Sequence, residues 1–294
     1  MNRHRRHLIT CLCFAPLAFA FSGATRAERD GVEVGKQSQF TQLVSAEQVE
    51  QAAVQQYAQL KQQAIAKGAL APADHPQALR LRYIADRLIP FAGEWNPRAK
   101  QWKWEVSLLV SEQLNAFCMP GGKIAFFSGI LSQLKLTDDE VAMIMGHEMA
   151  HALREHAREQ IGKNTATQGA IALGAALLGL GDGARMVAGL GGQLLSMRFG
   201  REDESEADLI GMELAARAGY DPAAGITLWR KMGAASGARG APPEMLSTHP
   251  SGPTRISDIE QALPEVRPIH AKAPKPERRF AVAQPAGAPA RATN

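Results

Sequence analysis

In the stretch MGHEMAHALREH two histidines stand four residues apart, with a glutamate directly after the first. At about 100° per residue, His147 and His151 lie about 40° apart around a helix and about 6 Å along it, so both imidazoles can meet one ion. Zinc suits the pair, because it takes four ligands and bonds nitrogen at about 2.0–2.1 Å. Glu148 turns to the side of the pair. It misses the ion but lies against a water on it, placed to take a proton and pass it to a leaving amine. A catalytic zinc has three protein ligands and an open fourth position, so a third ligand must come from elsewhere in the chain. The acidic stretch REDESEAD supplies candidates. On a helix Glu204 and Asp208 share a face, so Glu204 can complete the site while Asp208 binds the free nitrogen of a ligating histidine. Glu206 points away. His156, five residues past His151 and rotated off the pair's face, reads as a solvent-side histidine rather than a ligand.

The elements that must hold these groups follow from local pattern. From Val141 to Leu153 apolar residues occupy every side, the mark of a buried helix, where unpaired imidazoles and a carboxylate are costly unless a metal gathers them. Thr137 as N-cap, with Glu140 three residues on, starts that helix at about Asp138. In NAFCMPGGKIAFFSGIL, Pro120 and Gly121 fit the centre of a type II turn joining strands at Ala116 to Met119 and Lys123 to Phe127. The preceding WKWEVSLLV reads as a further strand. Upstream, one helix is expected from Ser45, its cap, to Lys67, and another from Pro76 to Leu88, stopped by Pro90. Downstream, the Gly/Ala-rich segment 169–199 is interrupted around Asp182 and reads as core or lid, each half too short to span a bilayer. REDESEAD opens a helix ending near Gly219, and the next starts with Asp221 as cap and Pro222 at its first position. From Pro264 the chain is rich in Pro and Ala and is expected to be disordered. The fold class is α+β, a mostly helical domain with a small antiparallel sheet next to the motif helix.

A chain of 294 residues with 45% hydrophobic content can bury a sizeable core. Its formal charge of +4 suggests a nucleic-acid binder until the charges are located. Residues 1–27 carry four arginines and no acid, and without them the chain holds 29 basic and 29 acidic residues. This excludes nucleic acid as the natural partner. The same 27 residues have a basic start, an apolar stretch from Leu8 to about Phe21 and then small residues, the pattern of a signal peptide. Cys11 and Cys13 would leave with it, so Cys118 is the single mature cysteine, read as a buried hydrophobe.

The segments NAFCMPGGKIAFFSGIL, LTDDEVAMIMGHEMAHALREH, REDESEADLIGMELAARAGYDP and STHPSGPTRI stand in one order that resembles the zinc metallopeptidases that include HtpX, the CAAX prenyl proteases, and the exported bacterial members LoiP and BepA. The resemblance covers about Gln39 to Ala262 and implies a gluzincin domain. It assigns one zinc to His147, His151 and Glu204, the general base to Glu148 and a supporting role to Asp208, and it lays the edge strand near GGKIAFF beside the substrate. It also draws in His249, similar to a histidine that can approach the zinc in some exported members and hold them latent. From the residues alone, His249 can fill the open zinc position, donate to the oxyanion, or sit in a turn before Pro250. Arg255 fits the same pattern and is expected to anchor this loop by a salt bridge. The expected organisation is a signal peptide over 1–27, a zinc metallopeptidase domain over 28–263 and a disordered tail over 264–294. The expected function is a periplasmic zinc endopeptidase acting on misfolded or unassembled envelope polypeptides, with outer-membrane assembly machinery as a candidate partner and peripheral membrane contact open. The rival is a chaperone-like envelope assembly factor with a latent metal site.

Overall fold

Thr137 and Glu140 close a capping box at the start of helix α4 (Asp138–Leu153). The Thr137 hydroxyl accepts from the Glu140 N–H at 3.3 Å, and the Glu140 carboxylate accepts from the Thr137 N–H at 2.8 Å. Two helix-end donors are thereby satisfied, and the acids of the first turn suit the positive end of the helix dipole. Every α4 residue except Asp139 is buried. The computed structural model describes residues 30–177, 194, 197–239, 244–249 and 254–284.

Among the described residues three α-helices precede α4: α1 (Ala46–Ala66), α2 (Pro76–Trp95) and α3 (Ser128–Gln133). After it come α5 (His156–Leu177), α6 (Arg201–Arg217), α7 (Ala224–Arg239), α8 (Glu244–Thr248) and α9 (Arg255–Lys272). The central packing is α4 on α6, and it is set by two glycines. A Cβ on Gly146 would stand 2.7 Å from the Gly211 carbonyl oxygen, and one on Gly211 would stand 2.7 Å from the His147 nitrogen. With no side chain between them the two backbones touch, which brings the acidic face of α6 to the histidine face of α4. Arg80 of α2, fully buried, steadies the entrance of α4 by donating to Asp138 at 2.6 Å and to the Leu136 carbonyl at 2.7 Å.

The sheet has three strands, β1 (Glu105–Leu109), β2 (Ala116–Met119) and β3 (Lys123–Phe127), in the order β1-β3-β2. The hairpin turn is as expected, with Gly121 at φ 81° and the Gly122 N–H donating to the Met119 carbonyl at 3.2 Å. The sheet is mixed, however, not antiparallel, since β1 pairs with β3 in parallel. Ser128 clasps the C-terminal ends of β1 and β3, accepting from the Ser111 N–H at 3.0 Å and donating to the Ser111 carbonyl at 2.9 Å. The strand of GGKIAFF is therefore the central one, and β1 and β2 are the outer strands, β2 on the side of the cleft. Helix α1 is tied to the sheet through buried Tyr57, whose hydroxyl donates to the Ile124 carbonyl at 2.8 Å.

Prolines mislead at three places. Helix α2 continues through Pro90 to Trp95, because Pro90 lies on its exposed face while Ile84, Leu88 and Ala92 keep one buried stripe. Likewise α9 runs past Pro264 and Pro268, both exposed, with Leu263, Val266 and Ile269 buried. The segment after it packs as well. The Phe280 N–H donates to Asp138 at 2.9 Å, Arg279 pairs with Asp139 at 2.9 Å, and Ala283 is buried. The expectation of disorder from Pro264 is thus corrected as far as Gln284; residues 285–294 lie outside the described residues. Helix α7 begins at Ala224 rather than Pro222, since Asp221 spends its carboxylate on the Ala223 N–H in a preceding turn. The expected leader and the interruption around Asp182 also lie outside the described residues. No described helix is long and apolar enough to cross a membrane.

Candidate active site

One turn of α4 separates His147 from His151, and their Nε2 atoms meet at 3.1 Å. Glu204, on the first turn of α6, sends Oε2 to within 3.5 Å of His147 Nε2 and Oε1 to within 3.5 Å of His151 Nε2. His249, just after α8, places Nδ1 3.4 Å from His147 Nε2 and 2.9 Å from Glu204 Oε1. The four residues are buried, and one ligand atom from each lies within 4.8 Å of the others. Two ligands at about 2.0–2.1 Å from a tetrahedral ion stand about 3.3–3.4 Å apart, so these separations fit a zinc-sized cation.

The surrounding groups orient the donors. Asp208, one turn after Glu204, lies 3.0 Å from His147 Nδ1. A carboxylate accepts, so that nitrogen carries the proton and His147 Nε2 keeps its lone pair free. Arg255, at the start of α9, donates to Asp208 at 2.6 and 2.7 Å and to Glu204 at 2.8 Å, and its guanidinium carbon stands over the Trp229 ring, 3.6 Å from the centroid. The ring of Phe199 stacks on His151 at 4.1 Å. Glu148 faces the cluster from α4, with Oε1 3.6 Å from His249 Nε2. Among the buried polar atoms of the described residues, that oxygen is without a hydrogen-bond partner.

Burial and neighbouring charges compete in the titration of this region. Burial pushes the Glu148 carboxyl up, against the pull of His249 and His147. It drives His151 well down, helped by the neighbouring His147 and His249. For Asp208 burial is overcome by Arg255 and His147, which hold its carboxyl below the usual range, and for Glu204 by His249, His147 and Arg255. His249 is raised despite burial, because Glu148 and Glu204 face it. The Cys118 thiol, on β2 at the wall of the cleft, is pushed up by burial and by Glu148.

His147, Glu148, His151, Glu204, Asp208, His249 and Arg255 all come together, and Glu206 points out of the cluster as expected. His156 does not face solvent. It is buried, with Nδ1 2.9 Å from His151 Nδ1 and Nε2 2.9 Å from Glu206. The rotation that placed it outside presumed one continuous helix, whereas α4 ends at Leu153 and the chain turns through Glu155 at φ 58°. A residue other than glycine makes this break, so the sequence carries little sign of it. Trp229 and Phe199 also lay beyond sequence reading, since only tertiary packing brings them to the cluster.

The cleft beside the cluster is bounded by β2, by Ala152 and Ala157, and by Leu194, Met197 and Phe199. Phe127 donates to the Asn115 carbonyl at 3.1 Å, which makes residues 115, 117 and 119 the hydrogen-bonded partners of β3. The Ala116 carbonyl and both backbone groups of Cys118 therefore turn to the outer edge of β2, which pairs with no further strand among the described residues.

The profile of Peptidase family M48 matches residues 76–263, a span containing every residue of the cluster. The chain is similar to the Mitochondrial metalloendopeptidase OMA1 of Schizosaccharomyces pombe, 37% identical over 197 residues that cover 67% of this chain and 56% of that protein. With the Mitochondrial metalloendopeptidase OMA1 of Arabidopsis thaliana it is 40% identical over 166 residues, 54% of this chain and 31% of the relative. With the Beta-barrel assembly-enhancing protease of Escherichia coli O157:H7 it is 30% identical over 170 residues, covering 55% and 35%. The aligned region is thus between about a third and just over half of each relative's length. Motif order, ligand geometry and a match over most of the chain agree, and the chain belongs to peptidase family M48, a family of zinc metallopeptidases.

Proposed function

We propose that this chain is a zinc-dependent endopeptidase that cleaves extended, misfolded or unassembled polypeptides in the bacterial envelope, with residues 1–27 as its export signal. The observation that carries the reading is the unpartnered Oε1 of Glu148, a buried carboxylate oxygen aimed at a cluster of four metal-binding side chains. An unsatisfied buried acceptor is expensive, and a proton-transfer role accounts for its retention. Zinc held by His147, His151 and Glu204 supplies polarisation of the scissile carbonyl and acidification of water. Glu148, its carboxyl raised by burial, takes the proton of the attacking water and hands it to the leaving amine. Asp208 and Arg255 keep His147 and Glu204 in place. The outer edge of β2 offers Ala116 and Cys118 backbone groups to an extended substrate, which favours unfolded chains over particular side chains. Envelope location rests on the basic and apolar composition of the first 27 residues and on the bacterial relative; the mitochondrial relatives belong to another compartment.

Purified Glu148→Gln protein is expected to retain zinc while losing cleavage of an unfolded polypeptide, and chelation is expected to abolish cleavage by the parent. Equal digestion by variant and parent overturns the mechanism. One contact favours a second reading, a latent site in an assembly factor: His249 hydrogen-bonds Glu204 at 2.9 Å and stands over Glu148, where it shields the site. Restoration of envelope integrity by a Glu148→Gln mutant in cells would favour that reading.

A further inference from the structure

Two imidazoles on α4 must each present a bare Nε2 to one cation, yet they are oriented by different means. His147 has the Asp208 carboxylate directly on Nδ1 at 3.0 Å. Among the described residues no carboxylate bonds His151 Nδ1, and what it meets there at 2.9 Å is the Nδ1 of His156. Two facing ring nitrogens form a hydrogen bond only if one carries a proton and the other does not. The far side of His156 settles which. Its Nε2 lies 2.9 Å from Glu206 Oε2, an oxygen that also accepts from Arg154 at 2.9 Å. A carboxylate can only accept, so His156 Nε2 carries hydrogen and, in the neutral ring, Nδ1 is bare.

The geometry points to His156 as the positioning residue of the metal centre: held by Glu206, it accepts the Nδ1–H of His151 and so fixes the tautomer that leaves His151 Nε2 free to bind the cation. Glu206 cannot do this directly, because it lies two residues from Glu204 and two from Asp208, on the side of α6 turned away from the cluster. The intervening imidazole spans the gap, and the tight turn at Glu155 delivers it from the first residue of α5. A ligand supported in this way binds metal more tightly, and losing such support costs about 10–100-fold in affinity.

The inference rests on the metal reading above, and its test separates the two. Zinc affinity of the purified full chain is measured by competition with a chromophoric chelator, alongside the visible spectrum of the cobalt-loaded protein. His156→Leu is expected to bind zinc about 10–100-fold more weakly than the parent and to alter the cobalt spectrum. His156→Asn, whose amide oxygen takes the place of the bare Nδ1, is expected to recover most of that loss. A parent that binds no zinc overturns the metal reading together with this inference. A parent that binds zinc, with His156→Leu binding equally well or His156→Asn recovering nothing, overturns this inference alone. Should His156→Leu fail to fold, nitrogen NMR of the zinc-loaded parent decides without any substitution. A proton on Nε2 and none on Nδ1 of His156 supports the assignment, and a proton on Nδ1 overturns it.

Discussion

Replacing Arg255 by Met should be the most damaging single change near the site that leaves every metal-binding side chain in place. Arg255 is 4% exposed and donates three hydrogen bonds to two buried carboxylates, Asp208 and Glu204. Methionine matches much of its stem and can still lie against Trp229, so what is lost is the charge. Removing one partner of a buried ion pair costs about 3–5 kcal/mol, because the other charge stays buried and uncompensated. Against a total of about 5–15 kcal/mol this is a large fraction of the stability, and at about 2–4 °C per kcal/mol it lowers Tm by roughly 6–20 °C. A double-mutant cycle isolates the cause. Asp208→Asn removes one of the stranded charges, so Arg255→Met with Asp208→Asn should be more stable than the sum of the single effects by about 1–3 kcal/mol. Denaturant unfolding with chelator and with excess zinc measures both quantities, and zinc should reduce the damage by taking over compensation of Glu204. A single variant within about 0.5 kcal/mol of the parent, or strictly additive singles, would refute the reasoning.

Gly211→Ala should cost about 1–3 kcal/mol and weaken zinc binding, since its Cβ would press to within 2.7 Å of the His147 nitrogen; Gly233→Ala on α7, with nothing within 4 Å, should be neutral or stabilising. Equal effects of the two on unfolding midpoints would show that the close approach is not what positions the site. Burial opposes ionisation of Asp208, but Arg255 and His147 hold its pKa below the unfolded value, so its stabilisation is present above about pH 4 and lost as pH falls through the lowered pKa. The stability gap between parent and Asp208→Asn, measured by chemical unfolding from neutral pH downward, should therefore close on acidification; a gap that widens contradicts the sign. His249→Ala should raise cleavage of an unfolded polypeptide by uncovering Glu148 and Glu204, and abolished cleavage would instead place His249 in the chemistry.

What was legible in the sequence was whatever depended on neighbours within a few residues. Thr137 and Glu140, the two ends of one capping box, marked the start of α4, and Pro120 with Gly121 marked the hairpin whose strands have the expected bounds. The pairing of Glu204 and Asp208 on one face needed only helical periodicity. Long-range choices were hidden. Nothing local says that β1 joins β3 in parallel and so puts β3 at the centre, nor that Trp229 lies under Arg255. The proline expectations fail for two reasons: Pro90 is read as a helix stop and the stretch from Pro264 as too rich in Pro and Ala to pack, whereas Pro90, Pro264 and Pro268 sit on exposed faces of helices whose buried stripes run on. His156 shows how one wrong continuity propagates, because a helix break at Glu155 moved a histidine from the solvent to the back of His151.

The charges of the site identify the kind of ion it is built for. Glu148, Glu204 and Asp208 bring three carboxylates into a buried region where Arg255 is the facing cation, while the imidazoles of His147, His151 and His249 are neutral when they act as ligands. Two negative charges are left over, and a single divalent cation balances them. Glu206 stays outside this count, since Arg154 pairs with it at 2.9 Å. Titration expresses the same surplus: His249 is raised by Glu148 and Glu204 although burial opposes it, and Glu148 is itself raised by burial and by Glu204. A monovalent ion would leave one uncompensated charge in a low-dielectric interior, where burying it is costly. Nitrogen donors at tetrahedral separations disfavour calcium and magnesium, which take oxygen ligands in larger numbers or octahedral arrays. Charge therefore selects the valence, and the mix of imidazole and carboxylate at these distances suits zinc over calcium and magnesium.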